Sequence, residues 1–300
     1  MKSLPVLLST LFALSHVAQA ADADAGLIAD GAKVEVLSKG YVFTEGPAVD
    51  RDGNVFFTDQ PNDRIVKYNA ADGSFSDWLK PAGRSNGTRF DKDGNLLACA
   101  DEKNELWSIS PDKKVTVLVS DFDGKLLNGP NDLWIRPDGN LYFTDPLYAR
   151  PYWKRDKAMQ QPGQYVYFFN VKSKKATAVA TDLKQPNGIT GTPDGKMLYV
   201  ADIGARKTYS YSVNPDGTLE NKTLFCDMGS DGMTIDADGN VYLTGRGVTV
   251  FDKTGKQLMN IPIPEPWTGN VTFGGKDRHL LFITASKKVF GVKMRVKGAY

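Results

Sequence analysis

Six times along this 300-residue chain a tight turn is followed by a short apolar run, at nearly regular intervals. Five of the turns are written with Asp-Gly: RDG ending at Gly53, KDG at Gly94, PDG at Gly139, PDG at Gly195 and ADG at Gly239. A sixth, degraded copy, GKDRHLLFIT, puts Arg278 where the others have glycine. The runs that follow (NVFF, NLLA, NLYF, KMLYV, NVYL and HLLFIT) have the length and composition of β-strands, so each turn reads as a hairpin. Intervals of 41, 45, 56, 44 and 39 residues separate the six turns. A four-stranded unit repeating at that length is the pattern of a propeller blade. The repeat therefore predicts an all-β, six-bladed β-propeller of four-stranded antiparallel blades, occupying residues 33–300 as one domain. The last copy lacks an outer strand. An alternating segment from Lys33 to Ser38 is expected to supply it, joining the C-terminal blade and closing the ring.

Eight residues before each turn position stand Glu45, Asn86, Asn131, Asn187, Asp231 and Asn270. All six carry a side-chain oxygen. Asn and Asp are favoured where a strand follows a loop, but six hits at one offset are hard to ascribe to turn chemistry alone. The first strand of a blade lies nearest the axis, so these six residues are expected to encircle one mouth of the channel. Two carboxylates and several amides, with no Cys or His among them, make a hard oxygen cage suited to a divalent cation, Ca²⁺ first and Mg²⁺ or Mn²⁺ second, and poor at selecting Zn²⁺. Burying Glu45 and Asp231 together without a cation is costly. The 56-residue interval places its extra length at Pro146–Gln164, a loop on the same face, where Tyr148, Tyr152 and Trp153 are expected to stack on a substrate beside Arg150.

Other chemistries find little support. The mature chain would keep one histidine, His279, at the head of a strand, which leaves a Ser-His-Asp or Cys-His mechanism little to work with. No GxGxxG, Walker loop, HExxH, GxSxG or CxxC occurs. The DxDG strings at Asp50, Asp91 and Asp236 put glycine at the fourth position rather than the sixth, so they read as hairpin turns and not as EF-hand loops. Cys99 and Cys226 sit in strand-like runs of different repeats and read as buried free thiols. The net charge of +2 gives no reason to expect nucleic acid or a membrane as partner. Residues 1–20 read as a cleaved secretory signal ending Ala18-Gln19-Ala20, followed by a flexible leader over 21–32, so a periplasmic or secreted protein is expected. Oligomeric state stays open.

The EGP at Glu45, the GPND at Asn131, the QPNGI at Asn187 and the SDGM at Asp231, each ahead of its turn, resemble the gluconolactonase, regucalcin and luciferin-regenerating family of six-bladed propellers across roughly residues 35–295. The resemblance implies that Glu45, Asn131, Asn187 and Asp231 bind one divalent cation, usually calcium, that Asp231 is the general base, and that the substrate is a sugar lactone such as gluconolactone. Asn86 and Asn270 are then expected to hold substrate hydroxyls or bridging waters. Asp132 either steadies Asn131 or stands as a more distant ligand. Two departures bear on the substrate and leave the cation set intact: Gly129 stands where regucalcin-like members have Arg, and CADE (Cys99–Glu102) where many bacterial members have a CEHG-like string. An esterase or organophosphate hydrolase on the same metal site, or a propeller that only binds a ligand, are the alternative readings.

Overall fold

The Asp-Gly turns close their hairpins by one device. Gly53, Gly94 and Gly139 have positive φ (86°, 84° and 87°), a conformation glycine adopts without a Cβ clash. In the first of these turns Asp50 Oδ1 accepts the Asp52 and Asn54 amides, each at 2.9 Å, and Oδ2 accepts Asn54 Nδ2 at 2.8 Å. Asp91 with Asn95 and Asp236 with Asn240 repeat the arrangement. These carboxylates are taken up by their own turns, in keeping with their reading as hairpins. Arg278 takes the same left-handed backbone (φ 61°) without being glycine, and its guanidinium donates to the Asp50 carbonyl of the neighbouring turn at 2.6 Å.

A computed structural model describes residues 26–300; the secretory signal read over 1–20 and the first part of the leader lie outside the described residues. Six four-stranded antiparallel sheets form a six-bladed propeller, each sheet in simple up-and-down order. The innermost strands are Thr44–Val49, Ser85–Phe90, Leu133–Ile135, Pro186–Gly191, Met233–Ile235 and Asn270–Gly274. In the sixth blade the outermost strand is Glu35–Lys39, paired antiparallel with Lys288–Lys293, so the expected closure by an N-terminal strand holds. Residues 26–32, within the stretch read as a leader, also pack on this blade: Leu27 is buried in its core and the Ala29 amide donates to the Lys293 carbonyl. Two elements were not anticipated, a two-residue hairpin of Asp121–Phe122 with Lys125–Leu126 and a single 3-10 turn at Gln60–Asn62.

Both faces of every blade are covered by a neighbour near the axis, which is why second strands such as Val55–Asp59, Leu96–Ala100 and Leu141–Asp145 are buried throughout, whereas outermost strands such as Phe75–Leu79 and Leu219–Cys226 are partly or largely exposed. The described residues form six apolar clusters, one in each seam between blades. The closing seam sets Val55 and Phe57 of blade one against Phe282 and Val289 of blade six. Near the axis the inner strands approach so closely that a Cβ on Gly46 would fall 1.9 Å from the Asn86 carbonyl oxygen of the next blade. Threonines on the second strands tie the blades there: Thr58 Oγ1 donates to Asn86 O, Thr144 Oγ1 to Asn187 O and Thr244 Oγ1 to Gly269 O. The residues at the strand heads are therefore held by packing on both sides.

Candidate functional site

Glu45 and Asn86 fall within the first strands of their blades, Asn187 opens its strand after Pro186, and Asn131 and Asp231 stand two residues ahead of theirs. Glu45, Asn86, Asn131 and Asp231 line one cavity of about 230 Å³ at the upper mouth of the channel, together with Phe43, Tyr148, Arg150, Ile203 and Trp267. Asn187 stands against it, its Nδ2 donating to Asp231 Oδ1 at 2.8 Å and to the Tyr148 hydroxyl at 3.0 Å. The other Asp231 oxygen accepts the Trp267 indole N–H at 2.5 Å. Glu45, 2% exposed, accepts the Gly46 amide on Oε2 at 3.0 Å.

Burial pushes the Glu45 carboxyl well above the usual carboxylate range, and the charge of Asp231 pushes the same way. Burial also raises Asp231, against hydrogen bonds from Trp267 and Asn187 that lower it. Neighbouring buried carboxylates resist ionising together unless a cation shares their site. Among the described residues Asn187 Oδ1 is buried with no hydrogen-bond partner, an orphaned acceptor of the sort that marks a place for an ion or a water. Among the described residues no group of three or more His, Cys, Asp and Glu side chains stands ready to hold a metal, so an ion at this mouth has to draw on amide oxygens. The donors present, two carboxylates and the amides of Asn131 and Asn187, fit a hard divalent cation in type.

Not every expected residue faces the cavity. Asn270 is 2% exposed; its Oδ1 accepts the Val271 amide at 2.8 Å and its Nδ2 donates to Asp132 at 3.4 Å. Asp132 is itself buried and accepts the Leu133 amide. Burial raises its carboxyl to about 6, with the Arg89 charge opposing. Neither lines the cavity: Asp132 precedes the inner strand of blade three and Asn270 opens that of blade six, so their hydrogen bond spans the channel and ties the two side chains to each other and to the Leu133 and Val271 amides. Trp153, expected to stack on a substrate, is buried instead: its indole N–H donates to the Asp101 carbonyl at 2.8 Å, and the Arg155 guanidinium lies 4.1 Å from its ring centre. From the insertion, Tyr148 and Arg150 do line the cavity. Gln161 fastens the loop by donating to the carbonyls of Phe122, Lys125 and Leu126 in the small hairpin.

Phe43, Ile203 and Trp267 were missed by the fixed offset. Trp267 lies three residues before Asn270 as Phe43 lies two before Glu45, and an apolar residue just ahead of a ring position was the available signal. His279 is apart from the cavity, its Nδ1 against the Met294 carbonyl at 3.1 Å. Both cysteines are buried free thiols.

The opposite mouth is filled. A small cavity of about 100 Å³ there is lined by residues that include Val49, Arg89, Trp134 and Tyr300. Arg89 reaches across the axis, donating to Pro47 O of blade one at 3.2 Å and to Met233 O of blade five at 3.1 Å. The Trp134 indole donates to the Tyr300 hydroxyl at 2.8 Å, and that hydroxyl donates to Gly191 O.

The family model of the SMP-30/Gluconolactonase/LRE-like region matches residues 43–287. The gluconolactonase of Zymomonas mobilis is 28% identical over 295 residues, covering 88% of this chain and 82% of its own. The diisopropyl-fluorophosphatase of Loligo vulgaris is 26% identical, covering 80% of this chain and 84% of its own. Among solved structures, a gluconolactonase from Xanthomonas campestris superposes with a TM-score of 0.81 at 26% identity, covering 90% of this chain and 91% of that one.

Proposed function

Because the chain belongs to the SMP-30/gluconolactonase/LRE-like family, we propose that it is a lactonase whose substrate, a sugar lactone, enters the upper mouth and is opened by water. The gluconolactonase and fluorophosphatase relatives are enzymes by name and match most of the chain, which supports a hydrolase over a propeller that only binds. The observation that carries the reading is Asp231: a half-buried carboxylate lining the cavity and oriented by two donors, Asn187 Nδ2 and Trp267 Nε1.

In this reading Asp231 takes a proton from water as the water oxygen bonds to the lactone carbonyl carbon. It then returns a proton to the ring oxygen as the carbon–oxygen bond breaks, leaving a hydroxy acid. Trp267 and Asn187 fix which carboxylate oxygen faces the water. Tyr148, which shares Asn187 with Asp231, closes one side against bulk solvent, and Asn86 offers its amide to a substrate hydroxyl. Glu45, Asn131, Asn187 and Asp231 would hold a divalent cation, Ca²⁺ ahead of Mg²⁺, Mn²⁺ or Zn²⁺. Such an ion supplies Lewis-acid polarisation of the carbonyl and offsets the two carboxylates. The signal-like N-terminus favours action in the periplasm or outside the cell.

A second reading has one observation behind it. Phe43, Ile203 and Trp267 give part of the cavity an apolar wall, which suits an aryl or alkyl ester or an organophosphate better than a polyol. The test is a panel of aldonolactones and aryl esters assayed on chelated protein reloaded with one ion at a time. Chelation is expected to abolish turnover and Ca²⁺ to restore it, with lactones ahead of esters. Absence of lactone hydrolysis with every ion refutes the proposal.

A further inference from the structure

Four blades carry an aspartate at or just after the end of the second strand: Asp59, Asp101, Asp145 and Asp202. Three of them do the same work, bracing the loop that leads into their own blade. Asp59 accepts the Val42 and Phe43 amides, Asp145 the Asn128 and Gly129 amides, and Asp202 the Lys184 and Gln185 amides, all at 2.8–3.3 Å. In blade two that task falls to Asp63, which accepts the Ala82 and Arg84 amides at 2.9 and 2.7 Å.

Asp101 is thereby released, and its carboxylate turns to the insertion. Its Oδ2 accepts Arg150 Nε at 2.9 Å, the Tyr152 hydroxyl at 2.5 Å and Gln60 Nε2 at 3.3 Å, while its backbone carbonyl takes the Trp153 indole. Nothing in a surface insertion requires a buried acid at its root. The pair is well shielded, with side chains 25% and 5% exposed for Arg150 and Asp101.

Arg150 is fixed by its Nε alone. Among the described residues its Nη1 and Nη2 make no hydrogen bond to protein, and the side chain lines the cavity. Its guanidinium carbon lies 5.5 Å from the Tyr148 ring centre, and the Tyr148 hydroxyl bonds Asn187, which bonds Asp231. The free fork and Asp231 line the same cavity and are linked through Tyr148 and Asn187, so a substrate whose carbonyl meets Asp231 can present a substituent to the fork. A guanidinium held at Nε with both terminal nitrogens free matches a carboxylate or similar anion in bidentate fashion.

We propose that Asp101 is a positioning residue that holds Arg150 as the specificity-determining donor, and that the substrate it selects is a lactone bearing an anionic substituent such as a carboxylate. The inference rests on the lactonase reading and narrows it. A neutral aldonolactone and the same ring carrying a terminal carboxylate make the test, with kcat and KM measured on the holoenzyme. The wild type is expected to favour the carboxylate, chiefly through KM. Arg150→Gln should erase that preference by about tenfold or more, and Arg150→Lys, which keeps the charge without the fork, should keep part of it. Asp101→Ala should act like Arg150→Gln, whereas Asp101→Asn, still an acceptor for Nε, should recover part of the preference. A purely structural role for Asp101 predicts no such ordering. Should Asp101→Ala not fold, the two Arg150 variants decide the matter alone. Equal losses on both lactones, or turnover without preference in the wild type, overturn the inference and leave the lactonase intact. Turnover of neither lactone removes both.

Discussion

The two mouths of the channel are made from opposite ends of the same six inner strands, yet they treat polar groups in opposite ways. At the lower mouth each polar group named above has a partner: Arg89 spans blades two, one and five, and Tyr300 joins Trp134 to Gly191. At the upper mouth the Asn187 acceptor is buried without a partner and burial disfavours the ionised forms of Glu45 and Asp231. Stability favours the first arrangement and chemistry needs the second, since a group already satisfied has little to offer a substrate. One end of the channel is plugged and the other keeps polar groups unsatisfied.

The sharpest break in this comparison is expected from Asp231→Asn. If the upper mouth is the reacting one, kcat on a lactone should fall about 10³-fold, within the range for losing a general base, while the melting temperature moves by only a few degrees. Near-normal turnover in that variant would remove Asp231 from the chemistry. The next effect is in pH. Burial raises the Asp145 carboxyl to about 7, against the Gly129 and Asn128 amides that lower it. The fold favours its neutral form, so its contribution is fully present below the unfolded value near 4 and is lost as pH rises through about 7. Up to about 4 kcal/mol should disappear across that window, and Asp145→Asn should flatten the slope. Urea titrations at several pH values, with cation held constant, measure it. An unchanged slope would count against it. Smallest is the lower mouth: Arg89→Met should cost about 2 kcal/mol in urea unfolding, with activity per folded molecule within about threefold of wild type. A large loss of turnover there would mean that the two ends are not separable.

The ring was legible because strand period and turn spacing are properties of neighbouring residues. A turn fixes a hairpin, a hairpin fixes which strand lies innermost, and an offset of eight from the turn then marks Glu45, Asn86, Asn131 and Asp231, which line one cavity. Side-chain direction was not legible by the same arithmetic. Asn270 occupies the equivalent position but bonds Val271 and Asp132, a choice set by blade three across the axis, 138 residues away. Trp267, Asp101 and Arg89 were invisible for the same reason, since each matters through a partner distant in sequence. Trp153 shows the converse error: an aromatic in an insertion over a channel invites a substrate role, but a large apolar ring with a buried carbonyl in reach is better used as an anchor.

Glu35–Lys39, the outermost strand of blade six, is among the earliest parts of the chain to be synthesised, and its partner Lys288–Lys293 among the latest. During synthesis the early strand therefore waits with an open hydrogen-bonding edge through five whole blades, the interval in which pairing with another chain is the main hazard. The seam it finally seals carries Glu45 on one side and Asn270 on the other. Assembly of the upper mouth is thus tied to the final act of ring closure, and shortened translation products would carry the repeats without a complete mouth.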